Sequence, residues 1–113
     1  VAALYYEAHI TVEPVFDERR DLLASVAKEY GFKLADLLMK KREDDTETRS
    51  SKDSFLTGTD RVLTKLDLRM LYTMRALTSG GFKIWRYKIE SIVMDSRCYD
   101  FYDILKLNTK AST

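Results

Sequence analysis

The chain has 113 residues, enough for one domain and too few for two. Its 45% hydrophobic and 33% charged residues fit a soluble folded domain, and 19 Lys+Arg against 18 Asp+Glu argue against a polycationic surface for DNA or anionic lipid. One His, one Cys and one Pro exclude an intrachain disulfide framework, an all-Cys/His zinc cage, and any Ser-His-Asp or Cys-His site not built around His9.

Residues 7–13 alternate polar and apolar, the period of a half-buried strand. Ala8, Ile10 and Val12 share one face; Glu7, His9, Thr11 and Glu13 share the other. Pro14 ends the strand because it cannot donate to a ladder. Residues 17–30 read as a helix with Asp17 as N-cap. Leu22, Leu23, Val26, Ala27 and Tyr30 form its apolar stripe, and Gly31 its left-handed stop. Alternation returns over 32–42 and favours a strand, with a helix as the alternative. It places Ala35, Leu37 and Met39 on one face and Asp36, Leu38, Lys40 and Arg42 on the other.

Residues 43–54, EDDTETRSSKDS, contain no apolar side chain and read as a charged loop or hairpin tip. Phe55-Leu56-Thr57-Gly58 is a short strand segment. Thr59 or Asp60 then caps a second helix running to about Ser79, with Val62, Leu63, Leu66, Met70, Met74 and Leu77 along one side. Gly80-Gly81 stops it. Residues 82–93 form the last strand, with Trp85, Tyr87, Ile89 and Val93 alternating against Arg86, Lys88 and Glu90. Asp95-Ser96-Arg97 reads as a turn. In the tail 99–113, Phe101, Ile104 and Leu105 have the spacing of a short terminal helix.

This order predicts an α+β fold over residues 1–113: a ferredoxin-like βαββαβ unit with two helices on one face of a four-stranded antiparallel sheet, in the spatial order 4-1-3-2. The helices are expected to bury Ala8, Ile10, Val12, Ala35, Leu37, Met39, Leu56, Trp85, Tyr87 and Ile89. The opposite face then holds Glu7, His9, Thr11 and Glu13 on the central strand, with Arg86, Lys88 and Glu90 on one side. Phe55, Thr57 and Asp53 lie on the other side, and Asp36, Lys40 and Arg42 at the edge. Three readings of that face stand side by side. It is a solvated ion-pair surface, a subunit interface, or a site for a ligand or reaction.

His9-Ile10-Thr11 on a strand resembles the His-x-Thr motif of two-histidine phosphoesterases. In that family two lobes each supply a His and a Thr or Ser to bind a 2′,3′-cyclic phosphate, and the two His act as acid and base. The resemblance implies catalytic roles for His9 and Thr11. The chain departs from the family in having no second His, so that chemistry would require a homodimer or a carboxylate base, Glu7 or Glu13. The leading expectation is a small binding module for a phosphate-bearing or other anionic ligand. Arg86, Lys88 and Lys40 supply charge, His9 and Thr11 hydrogen bonds, and Glu7 or Glu13 orients the His, with Thr57 and Glu90 also counted among the ligand-binding residues. A phosphodiesterase-like enzyme and a protein-assembly module are the alternatives.

The remaining motifs favour plain structural roles. Thr57-Gly58-Thr59-Asp60 could hold a phosphate at a helix start, but it lacks the length and Lys of a P-loop. The acidic run 43–47 has no EF-hand spacing, so no metal and no cofactor is expected. Cys98 has no His near it in sequence. Trp85 and Tyr87 fall opposite Arg86 and Lys88, and no RNA-recognition Gly-Phe run occurs, which argues against nucleic acid. No apolar run is long enough to span a bilayer. Val1-Ala2-Ala3-Leu4 is no secretory signal, and one Cys suits a reducing cytoplasm. Self-association as a homo-oligomer is expected, with the apolar tail docking on its own domain or across a dimer.

Overall fold

The computed structural model describes residues 2–35 and 53–98. The elements run β1 (Tyr5–Val12), α1 (Asp17–Glu29), β2 (Lys33–Leu34), β3 (Ser54–Asp60), α2 (Leu63–Ser79) and β4 (Ile84–Ile92). The strands form one antiparallel sheet in the order β2-β3-β1-β4. From Ala8 onward every second residue of β1 is fully buried: Ala8, Ile10 and Val12 join Leu56, Leu23, Ala27, Leu66, Met70 and Leu77 in one core. The two helices therefore cover the same face of the sheet, and the residues between those buried positions face away from them.

The helices end in matched fashion. At α1, Phe32 N–H donates to the Ala27 carbonyl at 2.8 Å and Gly31 N–H to Lys28 at 3.1 Å. At α2, Phe82 N–H donates to Leu77 and Gly81 N–H to Thr78, both at 3.0 Å. Both are Schellman closures, with Gly31 and Gly81 at φ +75° and +80°, where a Cβ is costly. Each closure delivers a buried Phe, and each Phe ring is covered by an Arg of the other helix. Arg69 stands 5.6 Å over Phe32, and Arg19 stands 4.3 Å over Phe82. Arg69 also donates to the Thr59 carbonyl, tying α2 to the end of β3.

Several expectations are corrected. Asp17 is not the N-cap of α1: Phe16 holds that place in extended conformation with no side-chain cap, and Asp17 takes φ +52°, which Asp tolerates better than most residues. Leu22 lies at the rim of the α1 stripe and is 47% exposed. Ser54 belongs to β3 and is buried, and β3 continues through Asp60. Thr57–Asp60 is therefore strand and not a helix-start turn. The α2 N-cap is Val62, whose N–H donates to Asp60 Oδ1 at 2.8 Å, and Val62 and Leu63 are exposed. Thr73, overlooked as polar, is fully buried because its hydroxyl bonds back to the Arg69 carbonyl at 2.7 Å.

The phase of β2 is the reverse of that expected. Lys33 pairs with Thr57 and Leu34 with Leu56, so Leu34 packs toward the helices and Ala35 does not share its face. The cause is Phe32, whose ring fills the space over Gly58 and sets the alternation that follows. Leu37, Met39 and Arg42, the charged run 43–52 and the tail 99–113 lie outside the described residues.

Trp85 and Tyr87 are not buried, at 51% and 59% exposure. Tyr87 does share the helix-side face, since it pairs with Ile10. But β4 is an edge strand, and α2 packs chiefly over β1 and β3. Pairing also shifts at Thr11/Val12, from Thr11–Arg86 to Val12–Ile84. Trp85 is the extra residue of that bulge, and Ile84 takes the core-side place expected of it.

The closeness of Phe32 to Gly58 gives a direct test of this packing. A Cβ at Gly58 would meet the Phe32 ring at 2.9 Å. Gly58→Ala should lower stability by about 1–3 kcal/mol, read as a reduced denaturant midpoint with unchanged slope.

Candidate functional site

The face of the sheet turned from the helices carries a grid of side chains fixed by backbone pairing. Glu7 stands between Thr59 and Glu90, His9 between Thr57 and Lys88, and Thr11 between Phe55 and Arg86. Three strands thus bring Glu7, His9, Thr11, Thr57, Arg86, Lys88 and Glu90 onto one surface. Lys33 extends the His9 row, since it pairs with Thr57. Sequence reasoning missed Lys33 because it read the second strand in the opposite phase. The signal was available in the Phe32–Leu34 alternation following the Gly31 stop.

Glu13 falls outside this grid. It follows the end of β1, its N–H donates to the Lys83 carbonyl at 2.9 Å, and its carboxylate faces Arg19 at 3.9 Å. Asp53 precedes β3. Lys40 lies outside the described residues.

His9 is the hub of the grid. Its Nδ1 lies 3.3 Å from Thr57 Oγ1, a hydrogen bond whose direction follows the imidazole tautomer. Its Nε2 lies 3.7 Å from Glu7 Oε2 and 3.7 Å from Glu90 Oε2. The His9 and Glu7 side chains are about three-quarters buried by their neighbours. Lys88 Nζ holds the other oxygen of Glu90, Oε1, at 2.5 Å. That hydrogen bond, and then the Lys88 charge, hold the Glu90 carboxyl below the ordinary glutamate range, with smaller help from His9 and Arg86.

Beside this hub lies a hollow of about 230 Å³ lined by His9, Thr11, Phe55, Arg86 and Lys88. It combines two cationic side chains, a hydroxyl, an imidazole and one aromatic wall. Among the described residues Arg86 has no ion-pair partner, so its guanidinium can turn toward an anion.

A larger depression of about 420 Å³ lies near the start of β1, lined by Tyr5, Thr59, Asp60, Arg61, Asp95, Arg97 and Cys98. Its principal charged groups already satisfy each other. Arg97 donates to both Asp95 carboxylate oxygens, at 2.8 and 3.1 Å, and Tyr5 donates its hydroxyl to the same carboxylate. Arg97 foremost, then Tyr5, holds the Asp95 carboxyl far below the usual carboxylate range. This cluster pins the turn after β4 to the start of β1, and the smaller hollow is the better candidate for a ligand. Cys98 is exposed at its margin.

Comparison with models of known protein families gives no match, and comparison with curated proteins gives none.

The coupling of Glu90 to Lys88 has a pH signature. A carboxyl whose folded pKa is lowered keeps its ion pair as pH falls through the ordinary range, and loses it only when it finally protonates. In an NMR titration the Glu90 carboxyl should have its midpoint below the ordinary 4.5, and Lys88→Met should move it upward.

Proposed function

We propose that this domain is a binding module whose sheet face accepts a small phosphate-bearing or other anionic ligand in the hollow between His9 and Arg86. The observation that carries this reading is the convergence of Arg86, Lys88, Thr11 and His9 on one hollow, with the Arg86 guanidinium in no ion pair among the described residues. Arg86 offers paired N–H donors to a tetrahedral anion, Lys88 a point charge shared with Glu90, and Thr11 a hydroxyl. Phe55 supplies an apolar wall for the organic part of the ligand. We read the fold as a ferredoxin-like split βαβ unit, supported by the element order and by the placement of β1 between β3 and β4. No helix among the described residues is long and apolar enough to cross a membrane. A cytoplasmic setting suits the single Cys.

Titration with inorganic phosphate, and with a nucleoside monophosphate, in buffer containing a metal chelator tests the reading. Backbone amide shifts should move at Thr11, Phe55 and Arg86. Arg86→Ala should weaken binding about tenfold or more, because a charge-assisted hydrogen bond contributes roughly 1.5–3 kcal/mol. Shifts confined to the Tyr5–Arg97 depression, or none at all, would sink it.

One observation favours an enzyme reading beside this. His9 and Thr11 line the same hollow, as the His-x-Thr resemblance implies for groups holding a cyclic phosphate. With one His per chain, acid–base work needs either Glu7 or Glu90, each beside His9, or a second subunit. The exposed Trp85 and Tyr87 on the edge strand β4 suit self-association or an assembly role. On the enzyme reading, a 2′,3′-cyclic nucleotide is opened by the wild-type chain and its turnover is lost in His9→Ala. Equal turnover by both proteins removes it, and a native mass measurement tells whether the active species is a dimer.

A further inference from the structure

The geometry points to a divalent metal site formed by Glu7, His9 and Glu90, on the same face as the anion hollow and separate from it in chemistry. Their ligand atoms, two carboxylate oxygens and one imidazole nitrogen, all lie within 4.8 Å of one another. His9 Nε2 is 3.7 Å from each carboxylate oxygen, which is beyond hydrogen-bond reach. Two carboxylates thus approach the same ring nitrogen without bonding to it. Ligands on one tetrahedral cation at about 2.0–2.2 Å stand about 3.3–3.6 Å from each other, so a small closure of the Glu side chains forms a coordination shell.

Three further features fit. The imidazole is already oriented: a metal on Nε2 requires the proton on Nδ1, where Thr57 Oγ1 at 3.3 Å accepts it. Glu90 divides its oxygens, with Oε1 on Lys88 and Oε2 on the His9 side, so Lys88 fixes the carboxylate without occupying its metal-facing oxygen. The three ligands come from paired strands, because Glu7 is directly opposite Glu90 and His9 is two residues along β1. Their backbones are therefore fixed before any ion binds.

The donor set selects the ion. One imidazole and two carboxylates suit Zn²⁺ and its first-row neighbours, whereas Ca²⁺ and Mg²⁺ favour all-oxygen shells. Three protein ligands leave at least one open position, and His9 borders the anion hollow as well. A dication would neutralise Glu7 and Glu90 and leave Arg86 and Lys88 to face an anion.

The test is calorimetric titration of the metal-free full chain with Zn²⁺ in phosphate-free buffer, with Co²⁺ absorption as a second readout. One Zn²⁺ per chain is expected, with Co²⁺ competing and Mg²⁺ failing to compete. Glu7→Gln, His9→Ala and Glu90→Gln should each weaken Zn²⁺ binding tenfold or more, with circular dichroism unchanged. Thr57→Val should weaken it by a smaller factor, and Cys98→Ser should leave it unaltered. The inference is overturned if the wild-type chain takes up no Zn²⁺ at millimolar concentration, if His9→Ala binds as the wild type does, or if Cys98→Ser abolishes binding. Because the phosphate titration uses chelator and the Zn²⁺ titration excludes phosphate, failure of one leaves the other standing.

Discussion

The central strand β1 alternates between two environments, and the rest of the domain is arranged by that constraint. Ala8, Ile10 and Val12 are fully buried beneath both helices, while Glu7, His9 and Thr11 face the other way. A slip of one residue would drive His9 and two polar neighbours into the core and expose three apolar side chains, so burial fixes the register strongly. Because β1 is paired on both sides, the same register decides which residues of β3 and β4 meet His9. Core packing on one face thus positions the chemistry on the other.

The helix ends serve the same arrangement. Gly31-Phe32 and Gly81-Phe82 close their helices by the same pair of hydrogen bonds and then send a Phe into the core. Each Phe is covered by an Arg from the opposite helix, which couples the two halves of the domain. At the first closure, Phe32 against Gly58 also sets the phase of β2, and so brings Lys33 beside Thr57.

On the open face, charge is distributed by pairing and not by composition. The near-zero net charge excludes a polycationic glove, yet the sheet gathers opposite charges within one patch. Lys88 is committed to Glu90, whereas Arg86 has no ion-pair partner among the described residues. His9 sits between two carboxylates with its other nitrogen on Thr57. These differences separate the hollow proposed for an anion from the three-ligand cluster proposed for a cation, although both include His9.

Much of this was legible from local pattern. Period-two alternation placed Ala8, Ile10 and Val12 opposite His9, helical spacing placed Leu23, Ala27, Leu66 and Leu77 in the core, and Gly31 and Gly81 marked the helix ends. Those features depend on neighbours in the chain, so the sequence carries them directly. What depended on neighbours in space did not show. Trp85 and Tyr87 look like core residues, but whether an aromatic is covered depends on how far the helices reach across an edge strand and on a bulge. Glu13 and Glu7 have the same phase in the sequence. Only the end of β1 and the position of Arg19 separate them, leaving Glu7 beside His9 and drawing Glu13 away. By itself the sequence determined which residues alternate; the tertiary structure decided which of them meet, because strand pairing sets distances that no spacing along the chain records.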